Sequence, residues 1–147
     1  MGRIRYFAAP ALAAGAVLLG LALQAQSGET YKARLSPLPA DARTRPDMAG
    51  VGTATGTLSG SKLSVSGTFE GLKYAATTAQ LHSAVAAGVR GPAIGDLMVS
   101  KATSGTVSGS IELNAQQMES LHKGGIYVQI QSEKFPDGVI WGWLLKP

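Results

Sequence analysis

The chain contains no cysteine. That absence excludes a disulfide scaffold, a thiolate metal site, a cysteine nucleophile and a lipid anchor attached through a thioether. Charge is scarce as well, at 15% of residues, while glycines number 19. Low charge with abundant Gly, Ser and Thr points to many short strands and tight turns. The formal charge of +4 overstates the basic character, because Arg3 and Arg5 lie in an N-terminal leader. Without them eleven basic residues face nine acidic ones, a net of +2. The rest are scattered from Lys32 to Lys146 and form no stripe with interleaved aromatics, so nucleic acid is not an expected partner. Enzyme signatures are also missing: there is no G-x-S-x-G elbow, no phosphate loop and no dinucleotide fingerprint. The acids Asp96, Glu112, Glu119, Glu133 and Asp137 stand singly. No catalytic residue is assigned, and no cofactor is expected.

The first 25 residues have the order of a secretory signal peptide. Arg3 and Arg5 supply the positive start, Phe7 to Leu23 is apolar, and Leu23-Gln24-Ala25 ends on a small residue. The other reading of the leader is an uncleaved anchor, but its apolar run falls short of the about 20 residues that a full span needs. The mature chain, residues 26–147, is expected to be one domain in the periplasm or secreted, with no membrane span of its own. Its 122 residues suffice for a self-standing core.

Apolar alternation then marks strands. Thr30 to Leu35, Gly50 to Leu58, Lys62 to Phe69, Thr78 to Ser83, Ala93 to Val99 and Thr103 to Leu113 each read as one. Leu63, Val65 and Phe69 face inward in the third, Ile94, Leu97 and Val99 are core candidates in the fifth, and Val107, Ile111 and Leu113 in the sixth. Ser36 to Asp47 holds Pro37, Pro39 and Pro46, which remove backbone donors and predict an irregular edge segment. Ala84 to Pro92 reads as a loop. Asn114 to Lys123 is the one helical stretch, with Asn114 as cap, Gln117 at the third helical position and Gly124 as terminator.

The terminal stretch Gly124 to Leu145 carries two alternating runs, Ile126 to Gln131 and Val139 to Leu145, joined around Pro136, Asp137 and Gly138. That pattern is a β-hairpin with a longer loop, and it holds both tryptophans. Val139, Trp141 and Trp143 share one face of its second run, with Ile140, Gly142 and Leu144 on the other. If Ile140 and Leu144 are core, two tryptophans stand outside, as on a partner surface. The alternative is a strand covered on both faces. Gln80 and His82 share a face of one strand, and Gln129 and Gln131 of another, so pairing would build one polar ladder. His82 and His122 are the only histidines. His122 near a helix end suits the dipole, and a copper or zinc site on His82 is the minor alternative because amide oxygens are poor co-ligands.

Thr78 to Ile94 and Leu113 to Gly142 resemble the CHRD domain, the module named after chordin. Ala79-Gln80-Leu81-His82 stands at its A-H-I-H-like segment, and Gly88, Gly91 and Pro92 at its Gly-rich loop. Leu113-Asn114 opens the helix, and Leu121, Gly124, Tyr127 and Val128 lead into the next strand. Gln129-Ile130-Gln131-Ser132 stands for N-V-H-T, Pro136 and Gly138 for P-x-G, and Val139-Ile140-Trp141-Gly142 for E-I-R-G. Lys32 to Leu38 and Gly50 to Thr57 match the weaker N-terminal strands. Of the family's polar cluster only His82 keeps its type; Gln80, Gln131, Val139 and Trp141 replace the rest. The resemblance implies an antiparallel immunoglobulin-like or superoxide-dismutase-like β-sandwich, here of seven to eight strands with one short helix. The function expected is a non-enzymatic exported module that binds an extracytoplasmic protein or itself, through Gln80, His82, Gln129, Gln131, Trp141 and Trp143.

Overall fold

A computed structural model describes residues 28–147. The leader, residues 1–25, lies outside the described residues. Among the described residues eight strands form: β1 (Glu29–Pro37), β2 (Val51–Ser59), β3 (Lys62–Glu70), β4 (Ala76–Ser83), β5 (Ala93–Val99), β6 (Gly105–Glu112), β7 (Ile126–Ser132) and β8 (Ile140–Trp143). One helix, α1 (Ala115–His122), stands between β6 and β7. It is capped as its sequence predicts: Gln117 N donates to the Asn114 side chain at 2.8 Å, and Asn114 N to the Gln117 side chain at 3.0 Å. Leu121 plugs it into the core, and Gly124 turns the chain out at φ 78°.

All strand pairs are antiparallel, and they close in the order β1-β2-β3-β6-β5-β4-β7-β8. The all-β class and the strand count are as expected, but the expected β-sandwich is corrected to a closed barrel. Two strands make the difference by pairing on both sides. β1 joins β2 from Glu29 to Leu35 and joins β8 through Ser36 and Pro37. β5 joins β4 through Ala93 to Leu97 and β6 through Met98 and Val99. Among the described residues every strand has a neighbour on each side, although Ala93–Leu97 of β5 and Gly109–Glu112 of β6 pair on one side only. The expectation of an irregular Ser36–Asp47 also changes at its start. Proline lacks a donor but keeps its carbonyl and extended backbone, so Pro37 still ends a strand. Leu38 N then continues the seam to Val139 O at 3.1 Å.

The interior follows the alternation. Leu35, Leu63, Leu81, Ile126, Val128, Ile130, Ile140 and Leu144 are fully buried. Val139 is buried with them, not on the tryptophan face, because it precedes the strand proper and follows Gly138 at φ 117°. Ile94, Val99 and Ile111 are only half-buried, flanking the short β5–β6 seam. On the outside, β2, β3 and β6 line up hydroxyls in three rungs: Thr57–Ser64–Ser110, Thr55–Ser66–Ser108 and Thr53–Thr68–Thr106. Thr30, Lys32 and Arg34 of β1 extend the same rungs.

The segment between β1 and β2 is tied down over the barrel by Asp47, which accepts from both Lys134 and Lys73. Hydrogen bonds from Lys134 and then Lys73 hold its carboxyl below the usual carboxylate range. The clamp joins this segment to the β7–β8 and β3–β4 connections, and so to one end of the face described next.

Candidate functional site

Because Ile126, Val128 and Ile130 point inward, Tyr127, Gln129 and Gln131 of β7 point outward. The same alternation puts Gln80 and His82 of β4 outside, opposite Ala79 and Leu81 in the core. On β8 it puts Trp141 and Trp143 outside, opposite Ile140 and Leu144. Register then brings the three strands into rows. His82, Tyr127 and Trp143 form one; Gln80, Gln129 and Trp141 form the next; Thr78 and Gln131 follow. All six residues chosen from the sequence therefore meet on one face.

The polar half of that face is a directed chain of hydrogen bonds. Thr78 donates to Gln131 at 3.0 Å, Gln131 to Gln80 at 3.0 Å, and Gln80 to the Asp96 carboxylate on β5 at 3.1 Å. Gln131 is only 6% exposed and Gln129 only 3%. Gln80 and Gln131 each accept one hydrogen bond and donate one within this chain, so their amides serve structure first.

The aromatic half is a cluster under a loop. His82 stacks on Tyr127 with ring centroids 4.8 Å apart. Tyr127 meets Trp141 edge-on at 5.6 Å and Trp143 at 5.0 Å, and the two tryptophans meet at 4.7 Å. The loop between β4 and β5 folds back on this cluster. Gly91 accepts from His82 Nδ1 at 2.8 Å, and its amide lies 3.2 Å from the Tyr127 hydroxyl. That hydroxyl also donates to the Gly91 carbonyl at 3.2 Å. Arg90 sets its guanidinium 5.0 Å from the centre of the Trp141 ring, a cation–π contact. Tyr127 is buried as a result, while Trp141 and Trp143 remain half-buried. Neither reading of β8 holds in full: the outer face is roofed over Tyr127 and open at the indoles.

Three polar atoms of the face have no hydrogen-bond partner among the described residues: His82 Nε2, Gln129 Oε1 and Trp143 Nε1. A carbonyl oxygen cannot donate, so the His82 proton sits on Nδ1 and a neutral ring leaves its lone pair on Nε2. Gln129 is closed in by Gly138, where a Cβ would come 2.8 Å from its amide carbon. Among the described residues no group of three His, Cys, Asp or Glu side chains stands close enough to hold a metal ion.

His122 lies away from this face. It ends α1, as expected, and its Nε2 is 3.2 Å from the Glu29 carboxylate. Glu29 also accepts from Tyr31 at 2.6 Å, which is the main reason its carboxyl is held low. Sequence reasoning missed Tyr127, Arg90, Gly91 and Asp96 as parts of the site. Tyr127 was within reach, since it alternates with Gln129 and Gln131. Arg90 sits in an aperiodic loop and carried no signal.

Among the described residues no helix is long and apolar enough to cross a membrane. No curated protein and no solved structure matches the chain. A family model described as the CHRD domain matches residues 31–144, from the first strand through the tryptophan strand, and the chain belongs to the CHRD-domain family.

Proposed function

We propose that this chain is an exported, non-enzymatic CHRD module, working in the periplasm or secreted, that binds an extracytoplasmic protein or a second copy of itself. The observation that carries the reading is the pair Trp141 and Trp143, half-buried at the open end of the outer face with Arg90 over one ring. Indole and guanidinium groups are the side chains that most often anchor protein interfaces. The roofed part of the face holds the indoles in fixed orientation, which lowers the entropy lost on docking. Export is supported by the basic, apolar and small-residue order of the first 25 residues.

Trp141→Ala tests it. The variant should keep a cooperative unfolding transition, since Ile140 and Leu144 rather than Trp141 fill the core. Its loss in stability should stay near 1–2 kcal/mol, below a full core deletion. Sedimentation of the purified chain over a concentration range should show association that Trp141→Ala reduces about tenfold or more. If wild type and variant sediment alike as monomers, self-association falls, and the partner is heterologous.

A second reading, copper or zinc bound through His82, is favoured by one observation: Nδ1 is pinned on Gly91 O while Nε2 is left without a partner. Metal-ligating histidines are oriented in this way. Its co-ligands would have to come from the amides of Gln80, Gln129 or Gln131, which suit these metals poorly. Titration with Cu2+ and Zn2+ decides it: near-stoichiometric uptake that His82→Ala abolishes supports the metal, and equal weak uptake by both removes it.

A further inference from the structure

On the other flank of Trp143 lies an open groove of about 1160 Å³. Its floor is the outer side of β1, β2 and β3, presenting Lys32, Arg34, Thr53, Thr55 and Thr68, and Trp143 stands at one wall. The barrel closure creates it. Lys32 bridges to Leu145 and Ser36 pairs with Trp141, so Arg34 between them lies level with Trp143. Trp143 thus ends the rung that runs on through Arg34, Thr53, Thr68 and Thr106. Lys32 and Arg34 are exposed, and among the described residues neither forms an ion pair. Glu70 lines the far end, leaving the β1 side basic.

We propose that this groove binds a carboxylated polysaccharide chain. The volume exceeds the roughly 300–1,000 Å³ of a site for one small molecule, and the groove is open, which suits a chain ligand. Hydroxyls repeat within a rung at about the 4.8 Å strand spacing, and each Thr or Ser both donates and accepts, as ring hydroxyls require. The indole of Trp143 offers an apolar flat wall, the complement of a sugar's C–H face. Arg34 offers a fork that fits a carboxylate and Lys32 a second point charge. An acidic peptide fits less well, because peptides gain affinity by extending a sheet edge, and at this groove β1 is already flanked by β8 and Leu145. Two free cations are too few for a nucleic-acid backbone. This site shares Trp143 with the partner surface proposed above but does not use Trp141 or Arg90.

The test is calorimetric titration of the purified chain with oligogalacturonate at low salt, beside neutral maltooligosaccharide and poly-glutamate. The wild type should bind oligogalacturonate, bind it more weakly as salt rises, and ignore the neutral sugar. K32Q/R34Q should reduce the affinity about tenfold or more, the expected scale for losing two charge-assisted contacts. Both side chains are exposed, so the near-ultraviolet spectrum of the double variant should match wild type. Arg90→Gln, which removes the cation from Trp141 and leaves the groove lining intact, should bind the sugar as wild type does, which separates this site from the partner surface. Absence of binding, equal binding of poly-glutamate, or full affinity in K32Q/R34Q overturns the proposal.

Discussion

Gly142→Ala is expected to lower stability by about 2–3 kcal/mol, at the upper end for adding one methyl to a packed interior. Gly142 is the central residue of β8, and a Cβ there would overlap the Arg34 carbonyl of β1, with Leu35 Cδ2 only 3.0 Å away. The obstacle is backbone, which cannot swing aside as a flexible side chain would. The strands must separate instead, at a seam that rests on few pairs. These are Ser36 with Trp141, Pro37 with Ile140, and the Lys32–Leu145 bridge. A second expected result follows from the same geometry. Amide exchange should quicken at Lys32, Leu38 and Leu145, whose N–H groups close the seam at 2.8, 3.1 and 2.9 Å. The β2–β3 hairpin, paired over its whole length, should keep its protection. Urea unfolding and native-state exchange read both effects. An unchanged midpoint with unchanged exchange would mean that the seam is not a structural closure.

Why this closure was invisible in the sequence follows from what a sequence pattern encodes. Alternation reports which face of a strand is apolar, and on that basis Leu63, Val65 and Phe69 face inward as expected, while for β8 it left open whether the tryptophan face was covered. It says nothing of which strand lies alongside. Ser36, Pro37 and Leu38 carry no alternation that points to β8, and prolines argue for an edge. β1 and β5 close the barrel by bending between two partners, a property of backbone path and not of side-chain type. The helix cap, by contrast, was fully local: Asn114 and Gln117 make their reciprocal bonds within three residues. The site fell between these cases. Gln80, His82, Gln129, Gln131, Trp141 and Trp143 were placed on faces by parity, and register united those faces. What covers them was not legible. Gly91 and Arg90 act through a carbonyl and a cation delivered by an aperiodic loop. Nor could the sequence show that Gln129 and Gln131 would be buried, since glutamine is ordinarily a surface residue.

Tyr127 should be the most sensitive position of the face, and a graded pair of substitutions separates its two roles. Its ring is 1% exposed and touches His82, Trp141 and Trp143 at once. Tyr127→Ala should therefore cost about 3–5 kcal/mol, as for other buried aromatics cut to alanine. It should also erase the near-ultraviolet signal of the packed indoles. Tyr127→Phe keeps the ring and removes only the hydroxyl. That leaves the Gly91 amide without its acceptor, while the Gly91 carbonyl keeps His82 Nδ1. The cost should be near 1 kcal/mol, and it should appear locally. Exchange at the Gly91 amide should rise, and acrylamide should quench Trp141 and Trp143 more strongly as the loop lifts. The indoles themselves stay in place in the Phe variant, so association through Trp141 should survive there and fail in the Ala variant. Equal stability losses for Phe and Ala would assign the whole effect to the hydroxyl and remove the ring's packing role. Unchanged exchange at Gly91 in Tyr127→Phe would mean that His82 and the Arg90–Trp141 contact hold the loop down without the hydroxyl.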